Sequence, residues 1–248
     1  MTETSVVVPA YNSEETIAAT LDSVLAQTCG DWELWAVDDG SRDGTRALLE
    51  EYARKDARIR VLSTPGNQGA GPARNLGIGA AGGRFVAFLD ADDLWHPEKL
   101  ERQVAFMEER GCIVSFTRYR RRKQGEPTAG HEIGAPGTVR YSDLLKSNWI
   151  PMSSAMYDRL RAPDLRMRPI RRRQDYLFWL DLLKEGGEAR CLPECLMTYT
   201  IRARSVSSDK LASVLATWRL YRDEIGLPPV RAAYYFANNL ARAALKRM

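Results

Sequence analysis

Asp90-Ala-Asp92-Asp93 puts three carboxylates directly after the apolar run Phe85-Val-Ala-Phe-Leu89. On an extended chain, side chains two residues apart leave on the same side. Asp90 and Asp92 placed in that way suit Mg2+ or Mn2+, which keep part of their water shell and hold a substrate diphosphate through the remaining positions. A turn followed by a helix cap accounts for the same residues, with Asp93 before Leu-Trp-His-Pro97 as the cap. A second pair, Asp38-Asp39, precedes Gly-Ser41. Between the two pairs, Asn67-Gln-Gly69-Ala-Gly71-Pro72-Ala-Arg74-Asn75 joins glycines that allow unusual backbone angles to an arginine placed to meet a diphosphate. An ordinary Gly-rich connection has that composition too. Asp175 opens an apolar helix, either as its N-cap or as a base that takes a proton from an attacking hydroxyl.

These residues need a scaffold, and the chain from 5 to 110 alternates strand and helix signals as a mainly parallel sheet with helices on its faces does. Phe85 to Leu89 is apolar at every position, as a central strand covered on both faces requires. Ser5-Val-Val-Val8 is a strand ended by Pro9, Asn12 with Glu15 forms a capping pair, and Ile17, Leu21, Val24 and Leu25 mark one helical face. Leu34–Val37 and Arg60–Leu62 are further strands, with a helix through Leu48, Leu49 and Tyr52 between them. Pro97 to Gly111 is a helix and Ile113–Phe116 a strand, while the basic, Gly- and Pro-rich stretch 118–136 is expected to be a mobile surface loop. A short strand and helix follow over 137–148, and 152–157 returns to the sheet. Tyr176, Trp179, Leu180 and Leu183 make a buried helix closed by Gly186-Gly187. Asp209 to Ile225 is an amphipathic helix with Leu211, Leu215, Trp218 and Arg222 along its stripe.

At 248 residues the chain has room for a large core in one α/β domain. Hydrophobic and charged contents of 44% and 27% are those of an ordinary soluble protein. No run approaches eighteen apolar residues, so neither a signal peptide nor a transmembrane helix is expected, and the location is cytoplasmic. Cys29, Cys112, Cys191 and Cys195 match no zinc ribbon and are expected to be reduced. The net charge of +4 is mild but concentrated in Arg118–Lys123 and in 166–173. Such runs make a solvated face or meet anionic lipid headgroups and phosphates. Nucleic acid is not indicated, because no aromatics interleave in a binding motif. The segment 230–247 mixes aromatic and basic residues as interfacial helices do, and packing against the domain is the other reading.

Taken in order, Val7-Val-Pro9-Ala-Tyr11-Asn12, Asp38-Asp39-Gly-Ser41, Gly69-Ala-Gly71-Pro-Ala-Arg74-Asn75, Asp90-Ala-Asp92-Asp93 and Gln174-Asp175 resemble the family 2 glycosyltransferases of GT-A fold. The likeness spans about residues 5–225. Asp90-Ala-Asp-Asp-Leu-Trp95, Phe116-Thr-Arg-Tyr119, Arg173-Gln-Asp-Tyr176 and Ser205-Val-Ser-Ser-Asp-Lys210 look like the bacterial enzymes that build teichuronic-acid-type cell-surface polysaccharides. The resemblance implies an α/β GT-A domain over 1–208, with a nucleotide-sugar-binding half at 1–111 and an acceptor-side half at 112–208, and a C-terminal helical extension at 209–248. It implies that Pro9, Ala10, Tyr11 and Asn12, together with Asp39, hold the nucleotide base, with Tyr11 lying against it. Gly69 and Arg74 would lie near the base and phosphates, and Asp90 and Ala91 near the ribose and donor sugar. Asp92, with Asp90, would bind a divalent metal, Mn2+ or Mg2+. Asp175 would be the single base of an inverting transfer from a nucleoside diphosphate sugar, UDP-linked by resemblance, to a saccharide hydroxyl. A lipid-linked acceptor at the inner membrane face is compatible with the basic clusters.

One departure stands out. Many family members carry a histidine where Tyr199-Thr-Ile-Arg202-Ala-Arg204-Ser205-Val-Ser207 has Arg202, so an arginine would there meet the diphosphate as a fixed cation. A nucleotidyltransferase would need a Gly-rich loop with lysine after the first strand, and Val8-Pro-Ala-Tyr-Asn12 is not that loop. The remaining alternative is a non-catalytic nucleotide-sugar-binding or scaffolding protein on the same fold.

Overall fold

The computed structural model describes residues 3–126, 130–201 and 210–245. The first half alternates as the sequence requires: β1 (Thr4–Ala10), α1 (Ile17–Leu25), β2 (Trp32–Asp38), α2 (Thr45–Lys55), β3 (Ile59–Ser63), α3 (Ala70–Ala80) and β4 (Phe85–Phe88). Then come β5 (Leu94–Trp95), α4 (Lys99–Arg110), β6 (Val114–Lys123), β7 (Glu132–Ile133), β8 (Thr138–Arg140), α5 (Tyr141–Leu144) and β9 (Ala155–Asp158). The chain continues through α6 (Gln174–Leu183), β10 (Glu188–Ile201), α7 (Lys210–Arg219), a π-helical turn over Leu220–Glu224, and α8 (Pro229–Leu245).

The strands form one sheet in the order β3-β2-β1-β4-β9-β6-β10-β5, with β7 added to β6 and β8 to β10. β3, β2, β1 and β4 run parallel, with Val7 opposite Trp35 on one side and Phe88 on the other. β9 reverses the direction: it is antiparallel to both β4 and β6, and β6 is parallel to β10. The sheet is therefore mixed, and β4 is central but parallel on one side only. This is an α/β fold around one mixed sheet.

Because successive strand residues face opposite ways, each central strand feeds two cores. Val7, Val86 and Phe88 enter one with Ile78, Leu177, Phe178 and Trp179. Val6, Val8, Phe85 and Ala87 enter the other with Ile17, Leu21, Leu49, Leu100 and Val104. α3 approaches β1 so closely that a Cβ on Gly77 would lie 2.6 Å from Val7 Cγ1, so that helix cannot carry a side chain there.

Several sequence-based expectations are corrected. Pro9 lies inside β1, whose backbone pairing continues through Ala10. Asn12 caps nothing: it takes a left-handed backbone (φ 47°), and its Oδ1 accepts from the Arg42 N–H. The stretch after Arg118 is strand rather than loop as far as Lys123, because β10 pairs with it up to Ile201 and β7 folds back on it. The C-terminal stripe fails at Leu215, which is half exposed, while Thr217, Leu220 and Tyr221 are buried. Leu215 and Thr217 both lie within α7, so the buried face there is rotated away from the expected stripe before the π turn begins at Leu220. All four cysteines are free. Among the described residues no helix is long and apolar enough to cross a membrane.

Lys99 is wholly buried at the head of α4. Its Nζ donates to Gln103 Oε1 at 2.6 Å and sits 4.1 Å from the Trp95 ring centre. Burial pushes its pKa down to about 7. An unfolded lysine keeps its proton up to about pH 10, so above pH 7 the unfolded chain holds the extra proton and stability rises with pH. Urea unfolding should show a gain of about 2 kcal/mol from pH 7 to 9 that is missing in Lys99→Met, at about 1.4 kcal/mol per pH unit. Parallel pH curves for the two proteins would overturn this.

Candidate active site

The site lies beyond the carboxyl ends of β1, β2 and β4, where open α/β sheets place their ligands. The loops leaving β1 and β2 are stitched together: the Asn12 N–H donates to Ser41 Oγ (3.1 Å), the Arg42 N–H to Asn12 Oδ1 (2.9 Å) and the Asp39 N–H to Ala10 O (2.8 Å). Tyr11 stands at their rim, 41% exposed.

Asp39 is buried, and its carboxylate organises the loop before α3. Oδ1 accepts from Thr64 Oγ1 (2.8 Å) and from the Gln68 N–H (3.0 Å), and Oδ2 accepts from the Gly69 N–H (2.7 Å). Gly69 itself has φ 96°, a conformation that favours glycine. Asp39→Ala leaves the Gln68 and Gly69 N–H groups without an acceptor, while Thr64 Oγ1 keeps Gly66 O (2.9 Å), so a loss on the order of 2–3 kcal/mol in urea unfolding is expected. An unchanged midpoint would mean that the loop holds its shape without the carboxylate.

Past Gly69, α3 brings Arg74 onto Asp90, with which it forms an ion pair. Arg74 is 4% exposed, and its Nε and Nη1 have no protein hydrogen-bond partner. Buried guanidinium N–H groups left over in this way fit an anionic or carbonyl-bearing ligand. The next residue, Asn75, exchanges two hydrogen bonds with the backbone of Met167 (2.7 and 2.8 Å).

Residues 90–93 form a tight turn, with the Asp93 N–H donating to Asp90 O at 3.0 Å. The chain is thus not extended between Asp90 and Asp92, and Asp93 caps no helix. Asp93 instead ties three segments together: Ser153 Oγ donates to its Oδ2 (2.5 Å) and the Thr200 N–H to its Oδ1 (2.9 Å). Ser153 Oγ also receives the Asp90 N–H (3.0 Å), and Thr16 Oγ1 holds the Ala91 carbonyl (2.8 Å). Thr200 reaches Asp93 because β10 is bulged between Leu192 and Met197, beside Pro193. Burial, followed by the charges of Asp90 and Asp92, pushes the Asp93 pKa well above the usual carboxylate range. That local excess of negative charge, with an all-oxygen donor set, fits a hard divalent cation. Among the described residues no three metal-ligating side chains gather into a closed site.

Asp175 arrives from the other half of the molecule. α6 begins at Gln174 after a left-handed Arg173 (φ 66°), so Asp175 is the second helical residue and not the cap. A Cβ on Gly71 would lie 3.5 Å from Gln174 Cβ, which sets the start of α6 directly against the start of α3. Asn148 Nδ2 donates to Asp175 Oδ2 (3.1 Å), while Asn148 Oδ1 accepts the Ile150 N–H (3.2 Å) and fixes its own turn. The geometry gathers Asp39 with Gly69 and Arg74 with Asp90, and borders them with Asp175. Arg202 and Arg204 lie outside the described residues. Ser153 and Asn148 went unnoticed in the sequence, because each acts through a partner far along the chain.

The glycosyl transferase family 2 model matches residues 5–165. The chain is 41% identical over 244 residues to TuaG of Bacillus subtilis (strain 168), a glycosyltransferase assigned to teichuronic acid biosynthesis, covering 98% of this chain and 97% of that one. It is 34% identical over 236 residues to an Escherichia coli UDP-Glc:alpha-D-GlcNAc-diphosphoundecaprenol beta-1,3-glucosyltransferase, covering 94% and 90% of the two chains. In fold it matches S. aureus TarS 1-349 in complex with UDP-GlcNAc, with a TM-score of 0.74 at 22% identity over 96% of this chain and 71% of that one. It also matches a Pyrobaculum calidifontis mannosyltransferase in complex with GDP-Man and Mn2+, with a TM-score of 0.71 at 17% identity over 95% and 68%.

Proposed function

Because the chain belongs to glycosyl transferase family 2, we propose that it transfers a sugar from a UDP-sugar, with inversion, to a hydroxyl of a lipid-diphosphate-linked saccharide in cell-surface polysaccharide assembly. The acceptor class is supported by the undecaprenol-linked substrate named for the Escherichia coli relative. The observation that carries the reading is the meeting of α3 and α6: Gly71 against Gln174 borders the Arg74–Asp90 pair with Asp175. A donor-side cation site and an acceptor-side base are needed together only when a group passes between them.

In the mechanism we assign, Asp175 takes the proton of the acceptor hydroxyl, and that oxygen forms its bond to the anomeric carbon from the face opposite the diphosphate. The old carbon–oxygen bond breaks in the same displacement and its electron pair leaves on the nucleoside diphosphate; the proton stays on the Asp175 carboxyl. No glycosyl-aspartate forms. Asn148 orients the carboxylate through Oδ2, leaving Oδ1 for the hydroxyl. Asp92 and Asp90 would hold a divalent cation, which when bound supplies a Lewis acid for charge on the departing diphosphate. Asp39, the Pro9–Asn12 turn and Arg74 receive the nucleotide. Residues 1–111 form the donor half, 112–208 the acceptor half and 209–248 a helical extension. Peripheral contact with the cytoplasmic membrane face brings the enzyme to its acceptor.

Calorimetric titration with UDP, GDP and dTDP, each with and without Mn2+, tests the reading. Tight binding of one nucleotide that requires the metal is expected. Failure of all three to bind would overturn it.

A further inference from the structure

Next to the amino end of α6 lies a cavity of about 440 Å³, between residues 170–172 and the face of α7 that continues into the π turn. Arg171, Arg172 and Arg219 line it together with Ala212, Leu215 and Ala216. The proposed transfer uses none of these residues.

The lining is chemically mixed. Arg171 and Arg172 come from the segment before α6 beside Ile170, while α7 supplies Arg219 together with Ala212, Leu215 and Ala216. Asp223 and Glu224 also border the cavity, but Glu224 pairs with Arg168 at 3.5 Å, so the balance at the wall is positive. The wall is a fixed part of the fold. Tyr221 OH donates to Leu145 O at 2.7 Å and meets Tyr176 OH at 3.1 Å, tying the π turn to α6. Arg172 Nη1 and Arg173 Nη2 reach Ser213 Oγ and Ser213 O, both at 3.3 Å. A cavity lined by both arginines and apolar side chains, and at the small end of the roughly 300–1,000 Å³ of ligand sites, suits an amphiphile's headgroup with the first part of its chain. Arginine forks match phosphate oxygens, and the alkyl carbons lie on α7.

Position selects among amphiphiles. Arg172 precedes Asp175 by three residues, so their Cα atoms are at most about 11 Å apart. A saccharide whose hydroxyl meets Asp175 carries its anomeric phosphate one sugar ring away, a span of the same order as that separation. Leu215 is 51% exposed at the rim, where a chain leaving the cavity would pass.

We propose that this cavity binds the diphosphate and first chain segment of the lipid that carries the acceptor saccharide, with Arg171 and Arg219 on the phosphates and Leu215 on the alkyl chain. The inference rests on the glycosyltransferase reading above and adds where the acceptor is held.

Farnesyl diphosphate is the probe, titrated calorimetrically into protein saturated with UDP and Mn2+ so that the donor site is filled. Saturable binding is expected, tighter than that of inorganic diphosphate. R171A/R219A should weaken it at least about tenfold, and Leu215→Asp should weaken it as well, with UDP affinity and the melting curve of each variant unchanged. Equal affinity of the variants and the wild type overturns the proposal. So does inorganic diphosphate binding as tightly as the farnesyl ester, which would reveal a bare anion patch. If the wild type binds UDP but not farnesyl diphosphate, this inference alone falls. If it binds no nucleotide, the glycosyltransferase reading falls and takes this one with it.

Discussion

Asp175→Asn should lower kcat about 100- to 10,000-fold, the range of a lost general base, and leave the affinity for UDP unchanged. The asparagine is isosteric, and its amide oxygen can still accept from Asn148 Nδ2, so the head of α6 keeps its shape. What disappears is a group able to take the acceptor's proton. α6 is anchored independently, by Tyr176, Leu177, Phe178 and Trp179 in the core, so a folding defect would not account for the loss. The measurement pairs sugar-transfer kinetics with UDP calorimetry on one preparation. A variant that retains turnover, or that loses UDP binding in proportion to turnover, removes Asp175 from the role of base.

Asp92→Asn should remove the Mn2+ dependence of UDP binding and cost about 100- to 1,000-fold in kcat, comparable to deleting one preorganised charge-stabilising group. The turn that carries Asp92 is held by the backbone bond from Asp93 to Asp90 and by Ser153, Thr16 and Thr20, none of which uses the Asp92 carboxylate. Asparagine keeps the shape of the side chain and removes its charge. With Mn2+ present, the variant's UDP affinity should fall to the wild type's metal-free value. If Mn2+ still tightens UDP binding in the variant, the cation is held elsewhere.

The donor side was legible because its determinants are local. A continuous apolar run ending in aspartates announces a covered strand with polar groups at its end, and β4 is that strand. Alternation of strand and helix told the same story for β1 to β3. What was hidden depends on pairing at long range. Arg118 to Lys123 has the composition of a solvated loop and becomes strand only because β10, some seventy residues later, lies alongside it. The turn at 90–93 likewise follows from Ser153 and Thr200 pulling on Asp93, and no local pattern announces those partners. Asn12 offered a capping pattern that the stitching between the first two loops overrode. Asp175 was found by its motif, but its neighbourhood to α3 rests on Gly71 and Gln174, a contact between segments a hundred residues apart.

The reversal of strand direction at β9 matters for how the molecule is made. Synthesis completes β1 to β4 early, and these can pair as soon as they leave the ribosome, yet the strand that covers the open edge of β4 begins only at Ala155. At roughly 5–20 residues per second, Phe85-Val-Ala-Phe88 presents an uncharged, unprotected edge for several seconds. Arg84 flanks that edge at its beginning and Asp90 soon after its end, charges of the kind that keep exposed strands from joining one another. Residues assigned to binding and to ion pairing in the finished enzyme thus also guard the nascent chain.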